Sequence, residues 1–136
     1  MADLVVTETG VVIYDGAEIV HGRAGETLLA GQAVFQHTDG KLWKAACSAA
    51  ADARAVGITL NGGAADQTVA YIKKGGVNPG ATVVVGTVYG VTDTAGGIGD
   101  ITERAAEDYI TILGVGLTAS RIDVALNKSE VMIPAL

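Results

Sequence analysis

The sequence contains two histidines and one cysteine, the side chains that most often bind zinc or act as a general base and a nucleophile. His21, His37 and Cys47 do not stand at ligand spacings such as Cys-x-x-Cys or His-x-x-x-His. A single cysteine also cannot form a disulfide within the chain. The sequence therefore predicts neither a metal site nor an internal disulfide.

Hydrolytic chemistry would need a serine in a strained elbow or two carboxylates held a set distance apart. No serine stands in a Gly-x-Ser-x-Gly motif. A loose group of acidic residues is the remaining candidate: Asp93, Asp100, Glu103, Glu107 and Asp108. We interpret these as solvated loop carboxylates, so no catalytic residues and no enzyme are predicted. A small hydrolase that depends on Asp93 or Glu103 is kept as an alternative.

The string from Gly114 to Ala119 fits the Gly-x-Gly-x-x-Ala pattern of dinucleotide sites, whose glycines let a pyrophosphate approach a helix N-terminus. Here the string is followed by the alternating run Arg121 to Leu126, which predicts a strand and not a helix. We therefore expect no nucleotide and no other cofactor.

Two aromatic residues, Phe35 and Trp43, flank the turn Asp39-Gly40. Aromatic side chains at a hairpin can stack on a sugar or pack against each other across the strands. Cross-strand packing is the interpretation we favour. In either case a β-hairpin must position them.

The composition predicts that strands carry these residues. Hydrophobic residues make up 49% of the 136, charged residues 18%, and 19 glycines are available for turns. Runs of β-branched residues recur about every ten residues: Leu4 to Val6, Val11 to Tyr14, Ala33 to Phe35, Val69 to Ile72, Val83 to Val85, Val88 to Val91, Tyr109 to Leu113 and Ile122 to Leu126. Only residues 45–55 and 102–108 could form a helical turn. The expected fold is an all-β compact sandwich or barrel.

An internal repeat appears when residues 24–73 are laid over residues 79–127. Two phrases carry the match: Gly25 to Val34 with Gly80 to Tyr89 at a shift of 55 residues, and Val56 to Leu60 with Leu113 to Leu117 at a shift of 57. A hairpin loop can absorb the difference. The repeat predicts two pseudo-equivalent β units packed face to face.

Equivalent positions in the two units should then be equally buried. We expect this of Ile58 and Val115, and of Val34 and Val88. Truncation of either member of a pair should cost a similar free energy of unfolding.

Residues 1–22 have no counterpart in the repeat, which predicts an N-terminal extended arm (1–22) followed by a β domain (23–136). Its apolar runs, Leu4-Val5-Val6 and Val11-Val12-Ile13, need partners for their backbone groups. Adding a strand to a sheet edge supplies such partners. The arm either completes its own sheet or contacts another protein, and we expect contacts through Leu4, Val5, Val6, Val11, Val12 and Ile13.

The formal net charge of −6 argues against a surface that neutralises phosphates, so nucleic acid is not an expected partner. No apolar run approaches the roughly twenty residues that span a bilayer, and Met1-Ala2-Asp3 does not begin an export signal. We expect synthesis in a cytoplasm and no membrane partner.

Several phrases of the repeat resemble small virion proteins of tailed bacteriophages, described as capsid decoration, cement or head-fibre proteins. The matching phrases are Ala24 to Val34, Ala55 to Ile58, Ala64 to Val69 and Thr94 to Ile98. Together they span most of residues 24–126. Their order is also similar to that of the β-tulip decoration proteins.

This resemblance implies a β-tulip-like fold, a homotrimer on the capsid exterior, and the major capsid protein of the same phage as partner. The chain would be made in the cytoplasm of the bacterial host. The arm would then contact the capsid or a sister subunit, and deleting residues 2–9 should abolish capsid binding but leave near-native melting. The alternative is a receptor- or carbohydrate-binding module of a tail or head fibre.

Overall fold

The computed structural model describes residues 4, 6, 10–14, 16–47, 52–101 and 109–132, and the side chains of 110 and 127–132 are not described. The described residues are all-β, as the sequence predicts. The strands are β1 (Val11–Ile13), β2 (Glu18–Arg23), β3 (Ala33–Gln36), β4 (Leu42–Lys44), β5 (Ala55–Thr59), β6 (Thr68–Pro79), β7 (Val88–Val91), β8 (Ile98–Asp100), β9 (Tyr109–Thr118) and β10 (Arg121–Met132).

These strands pair antiparallel in one curled sheet with the order β4-β3-β5-β6-β10-β9-β7-β8, and β1 and β2 also pair with β6. The long strand β6 pairs with β1, β2, β5 and β10, and Gly75 within it has a φ of 108°, which favours glycine. Strand β2 pairs with β6 up to Lys74, whereas β1 pairs with residues 77–79. The predicted boundary between arm and domain falls inside β2.

The strand order repeats across the two halves of the sheet. In the first unit (β3 to β6), β3 lies between β4 and β5; in the second (β7 to β10), β7 lies between β8 and β9. Val34 pairs with Gly57, and Tyr89 pairs with Gly114, at the two shifts read from the sequence. A register irregularity follows each pair. Equivalent residues therefore occupy equivalent places in the ladder.

The predicted equivalence of Val34 and Val88 is wrong by one position in the register. The register makes Tyr89 the counterpart of Val34, and Val88 the counterpart of Ala33. A shift of one position turns a side chain to the opposite face of a strand. Val34 is accordingly buried, whereas Val88 is only half-buried.

The main core lies between the two units, and unlike faces meet there. The first unit contributes the face that contains Ala33, Phe35, Ala45, Ala55, Ile58 and Ile72. The second contributes Val83, Tyr89, Val91, Ile98, Leu113, Ile122 and Val124. Because Tyr89 is the counterpart of Val34 and not of Ala33, the second unit presents the opposite face of its sheet. A smaller core of Ala24, Leu28, Val34, Leu42 and Val69 lies on the other side of the first unit.

Some local predictions differ from the structure. Residues 83–85 are irregular and not a strand, because the Val83 amide bonds to the Ala119 carbonyl at the end of the β9–β10 hairpin. Leu4 and Val6 also lie in irregular chain. The described residues of the stretch 45–55 form no helix, and 102–108 lie outside the described residues.

Candidate functional site

Four large apolar side chains of the second unit are exposed. Val84 is 61% exposed, Val85 65%, Val115 38% and Leu117 47%. We name these four residues the apolar face. Val115 and Leu117 project from the same side of β9, and the loop that carries Val84 and Val85 is tied to β9 by hydrogen bonds.

Those hydrogen bonds depend on glycine. The Gly86 amide donates to the Gly116 carbonyl at 2.8 Å, and the Gly116 amide donates to the Thr87 carbonyl at 2.9 Å. A Cβ on Gly116 would overlap the carbonyl oxygen of Val84, so only glycine allows this approach. The loop is thus held against β9.

The exposure of this surface follows from how the units stack. Ile58 is the counterpart of Val115 in the first unit and is fully buried against the second unit. Leu60, the counterpart of Leu117, is partly buried against the same core. Among the described residues, none packs over Val115 and Leu117 in this way. The expectation that Ile58 and Val115 are equally buried is therefore wrong, although their register is equivalent.

The residues predicted for contact divide into two groups. Leu4 donates its amide to the Ile98 carbonyl at 2.7 Å and packs against the main core, and Val6 lies against Gly31. Val5 lies outside the described residues. Because deleting residues 2–9 would remove the Leu4 and Val6 contacts, near-native melting of that variant is no longer expected.

Strand β1 carries the second group. Val11 packs partly buried against the core, whereas Val12 is 52% exposed and Ile13 is 42% exposed. Their strand pairs with β6, and the next residue, Tyr14, is held by its hydroxyl at Ser120 and by the Arg121 guanidinium 4.9 Å from its ring centre. Among the described strands, β1 has no partner on its other edge. A contact of these residues with another protein stays a prediction.

A separate cleft opens beside the β3–β4 hairpin. It has a volume of about 320 Å³ and is lined by Glu26, Phe35, His37, Trp43, Lys44 and Asp52. We name it the aromatic cleft. The ring centres of Phe35 and His37, and of His37 and Trp43, are both 5.8 Å apart. Phe35 is a core residue, as the cross-strand interpretation predicts, whereas Trp43 is half-buried.

The indole of Trp43 is fixed in place from two sides. A Cβ on Gly25 would overlap the indole ring, so glycine lets the ring lie against the backbone. The indole N–H donates to the Asp39 carboxylate at 3.2 Å. Asp39 also accepts the Lys41 amide at 2.8 Å, and that hydrogen bond holds the pKa of Asp39 below its ordinary value of 3.8.

The polar wall of the cleft contains charges of both signs. The Glu26 carboxylate accepts the Lys44 amide at 3.0 Å, and its other oxygen is 3.9 Å from the Lys44 ammonium. The Asp52 side chain is half-buried. No sequence pattern placed Glu26 and Asp52 near Trp43, because only tertiary folding brings these segments together.

The other chemical candidates are scattered. His21 lies on β2, Cys47 is buried beyond β4, and no group of three described His, Cys, Asp or Glu side chains could hold a metal ion. The string 114–119 runs from β9 into the β9–β10 hairpin and not into a helix, as predicted. Of the acidic group, Asp93 is exposed, Asp100 ends β8, and Glu103, Glu107 and Asp108 lie outside the described residues.

Comparison with known protein families gives no match, and neither does comparison with curated protein sequences. The described part of the chain contains no helix long and apolar enough to cross a membrane.

Proposed function

We propose that this chain is a structural protein of a bacteriophage particle, which binds the outer surface of the capsid and stabilises the shell. The observation that carries the proposal is the apolar face of the second unit, where Val115 is exposed although its counterpart in the first unit, Ile58, is buried core. The resemblance of the repeat to capsid decoration proteins supports the same function.

An exposed cluster of large apolar side chains is typical of a surface that another protein covers. Transfer of apolar surface out of water is favourable at roughly 25 cal/mol per Å². Binding only to the assembled shell stabilises that shell by mass action, and many modest contacts add up over a lattice. Such a function needs surfaces and no chemical step.

We assign the apolar face to contacts between copies of the chain in a homotrimer. The first unit shows what this kind of face does when a partner is present, since Ile58 packs against an apolar sheet face of the same chain. The exposed Val115 and Leu117 on β9 offer a sister subunit the same kind of packing. The partner is a second copy because the fold already packs one unit of this sequence on another.

We assign contact with the major capsid protein to β1. Its exposed Val12 and Ile13 stand beside a strand edge that is free among the described strands. Strand addition to such an edge supplies backbone hydrogen bonds together with apolar contact. The two assignments use different surfaces, so they can be tested separately.

The test of self-association is the mass in solution by light scattering. The unmodified chain should have three times the monomer mass of 13.7 kDa. Val115→Asp combined with Leu117→Asp should give a folded monomer, because a buried interface cannot accommodate unpaired carboxylates. Leu29→Asp is the matched control, since Leu29 is the 42%-exposed counterpart of Val84, and it should remain trimeric. A monomeric unmodified chain at micromolar concentration would reject the trimer.

The test of capsid binding is cosedimentation with expanded capsids of the phage that encodes the chain. Val12→Asp combined with Ile13→Asp should abolish binding and leave the trimer intact. Ile19→Asp, at a 40%-exposed position on β2, is the control and should bind normally. Failure of the unmodified trimer to bind these capsids would contradict the proposed function.

A further inference from the structure

We propose that the aromatic cleft binds a neutral saccharide. This inference goes beyond the structural function, because the cleft lies on the first unit and shares no residue with the apolar face or with β1. Its volume of about 320 Å³ is at the small end of the range for ligand sites and suits a single pyranose ring.

The aromatic wall provides the apolar part of the site. Phe35, His37 and Trp43 all line the cleft, and His37 makes a tilted ring contact at 5.8 Å with each of the other two. Gly25 and Asp39 fix the Trp43 indole before any ligand arrives. A preorganised ring loses little conformational entropy on binding, which favours stacking against the C–H face of a sugar.

The charged residues of the lining provide hydrogen-bonding groups. The Asp52 carboxylate makes no hydrogen bond or ion pair with any described residue, so both of its oxygens can accept from sugar hydroxyls. Lys44 donates, and it is held only loosely by Glu26 at 3.9 Å. Sugar hydroxyls both donate and accept, and charge-assisted hydrogen bonds are the stronger ones.

The charges of the cleft disfavour an anion. Glu26 and Lys44 stand side by side and offset each other, and Asp52 leaves one negative charge in excess, so the cleft repels a carboxylate or a phosphate. A polyhydroxyl ligand is neutral, and its hydroxyls can bond both to the ammonium and to the carboxylates. The excess charge attracts a cation, so tetramethylammonium is the competing ligand.

Trp43 is the only tryptophan of the chain, so its fluorescence reports directly on the cleft. The experiment titrates the full-length protein with glucose, galactose, mannose and N-acetylglucosamine. A monosaccharide of about twelve non-hydrogen atoms should bind with a dissociation constant on the order of 1 mM. At least one sugar should change the emission in a saturable way. If none does so up to about 100 mM, roughly a hundredfold above that constant, the proposal is wrong.

Single substitutions test whether the sugar binds in the aromatic cleft. Asp52→Asn should weaken affinity by about tenfold or more, because it removes a charged acceptor. Asp93→Asn, which changes an exposed carboxylate of the second unit, should bind as the unmodified chain does. Equal affinity of all three proteins would overturn the proposal, and so would tighter binding of tetramethylammonium or acetate than of any sugar.

A second measurement covers the case in which Asp52→Asn fails to fold. In the unmodified protein, the indole N–H resonance of Trp43 should shift on addition of the sugar that binds. Shifts confined to residues outside the cleft would place the sugar elsewhere and overturn the proposal. Loss of trimer formation or capsid binding leaves these results unchanged, so the two proposals fail independently.

Discussion

Gly57 and Gly114 meet the same backbone obstacle in the two halves of the sheet. A Cβ at Gly57 would overlap the carbonyl oxygen of Ile72 on β6, and a Cβ at Gly114 would overlap that of Asp123 on β10. Each glycine also pairs with the matching residue of β3 or β7. The repeat is therefore visible in close backbone packing as well as in strand order.

This relationship predicts that Gly57→Ala and Gly114→Ala are each destabilising. The added methyl group must displace backbone, and forcing atoms into a packed region typically costs about 1–3 kcal/mol. Urea denaturation of both variants measures the cost. Thr27→Ala, at an exposed loop position, should change the free energy of unfolding by less than about 0.5 kcal/mol. A glycine variant as stable as the unmodified chain would contradict the close approach.

Ile58→Ala and Val115→Ala should separate stability from association. Ile58 is fully buried, so its truncation should lower the free energy of unfolding by about 2–5 kcal/mol. Val115 is 38% exposed, and its truncation should cost less than about 1 kcal/mol in a monomeric background such as Leu117→Asp. Denaturation at equal protein concentration gives both values. Similar large losses at the two sites would mean that Val115 is covered within the chain.

Protonation of Asp39 should be visible at Trp43. The pKa of Asp39 is lowered mainly by the Lys41 amide and further by the indole N–H, so the folded state favours the carboxylate. The stabilisation is present above the ordinary value of 3.8 and is lost as the pH falls through the lower folded value. Tryptophan emission followed from about pH 5 downward should show a transition below pH 3.8. Asp39→Asn should lack this transition, and an identical transition in that variant would assign it to another group.

Substitutions of Asp66 should show that backbone strain outweighs an exposed ion pair. Asp66 has a φ of 72°, and its carboxylate is 2.6 Å from the Lys41 ammonium. An exposed pair contributes little, whereas glycine adopts this φ without cost. Asp66→Gly should therefore melt at or above the temperature of the unmodified chain, and Asp66→Ala below it. Lys41→Ala removes only the ion pair and should change the melting temperature little. A large fall in the melting temperature of Lys41→Ala would mean that the ion pair matters more than the backbone strain.

Much of the architecture could be predicted from the sequence. Alternation of apolar residues, glycine turns and the two shifts of the repeat predicted an all-β chain of two similar units, because these features depend on local backbone chemistry. The same register shifts reappear in the strand pairs Val34–Gly57 and Tyr89–Gly114. Strands β2 and β8 were not predicted, because polar residues and glycine interrupt their apolar residues.

Tertiary structure alone decided which faces of the two units meet. The repeat gives Ile58 and Val115 the same local sequence setting, yet one is core and the other is surface, because a chain with two units buries one face of the second and leaves the other uncovered. The aromatic cleft arises in the same way, since Glu26, Trp43 and Asp52 become neighbours only when β3, β4 and the segments around them pack. Sequence patterns set which side of a strand a residue occupies, whereas packing between units sets what that side touches.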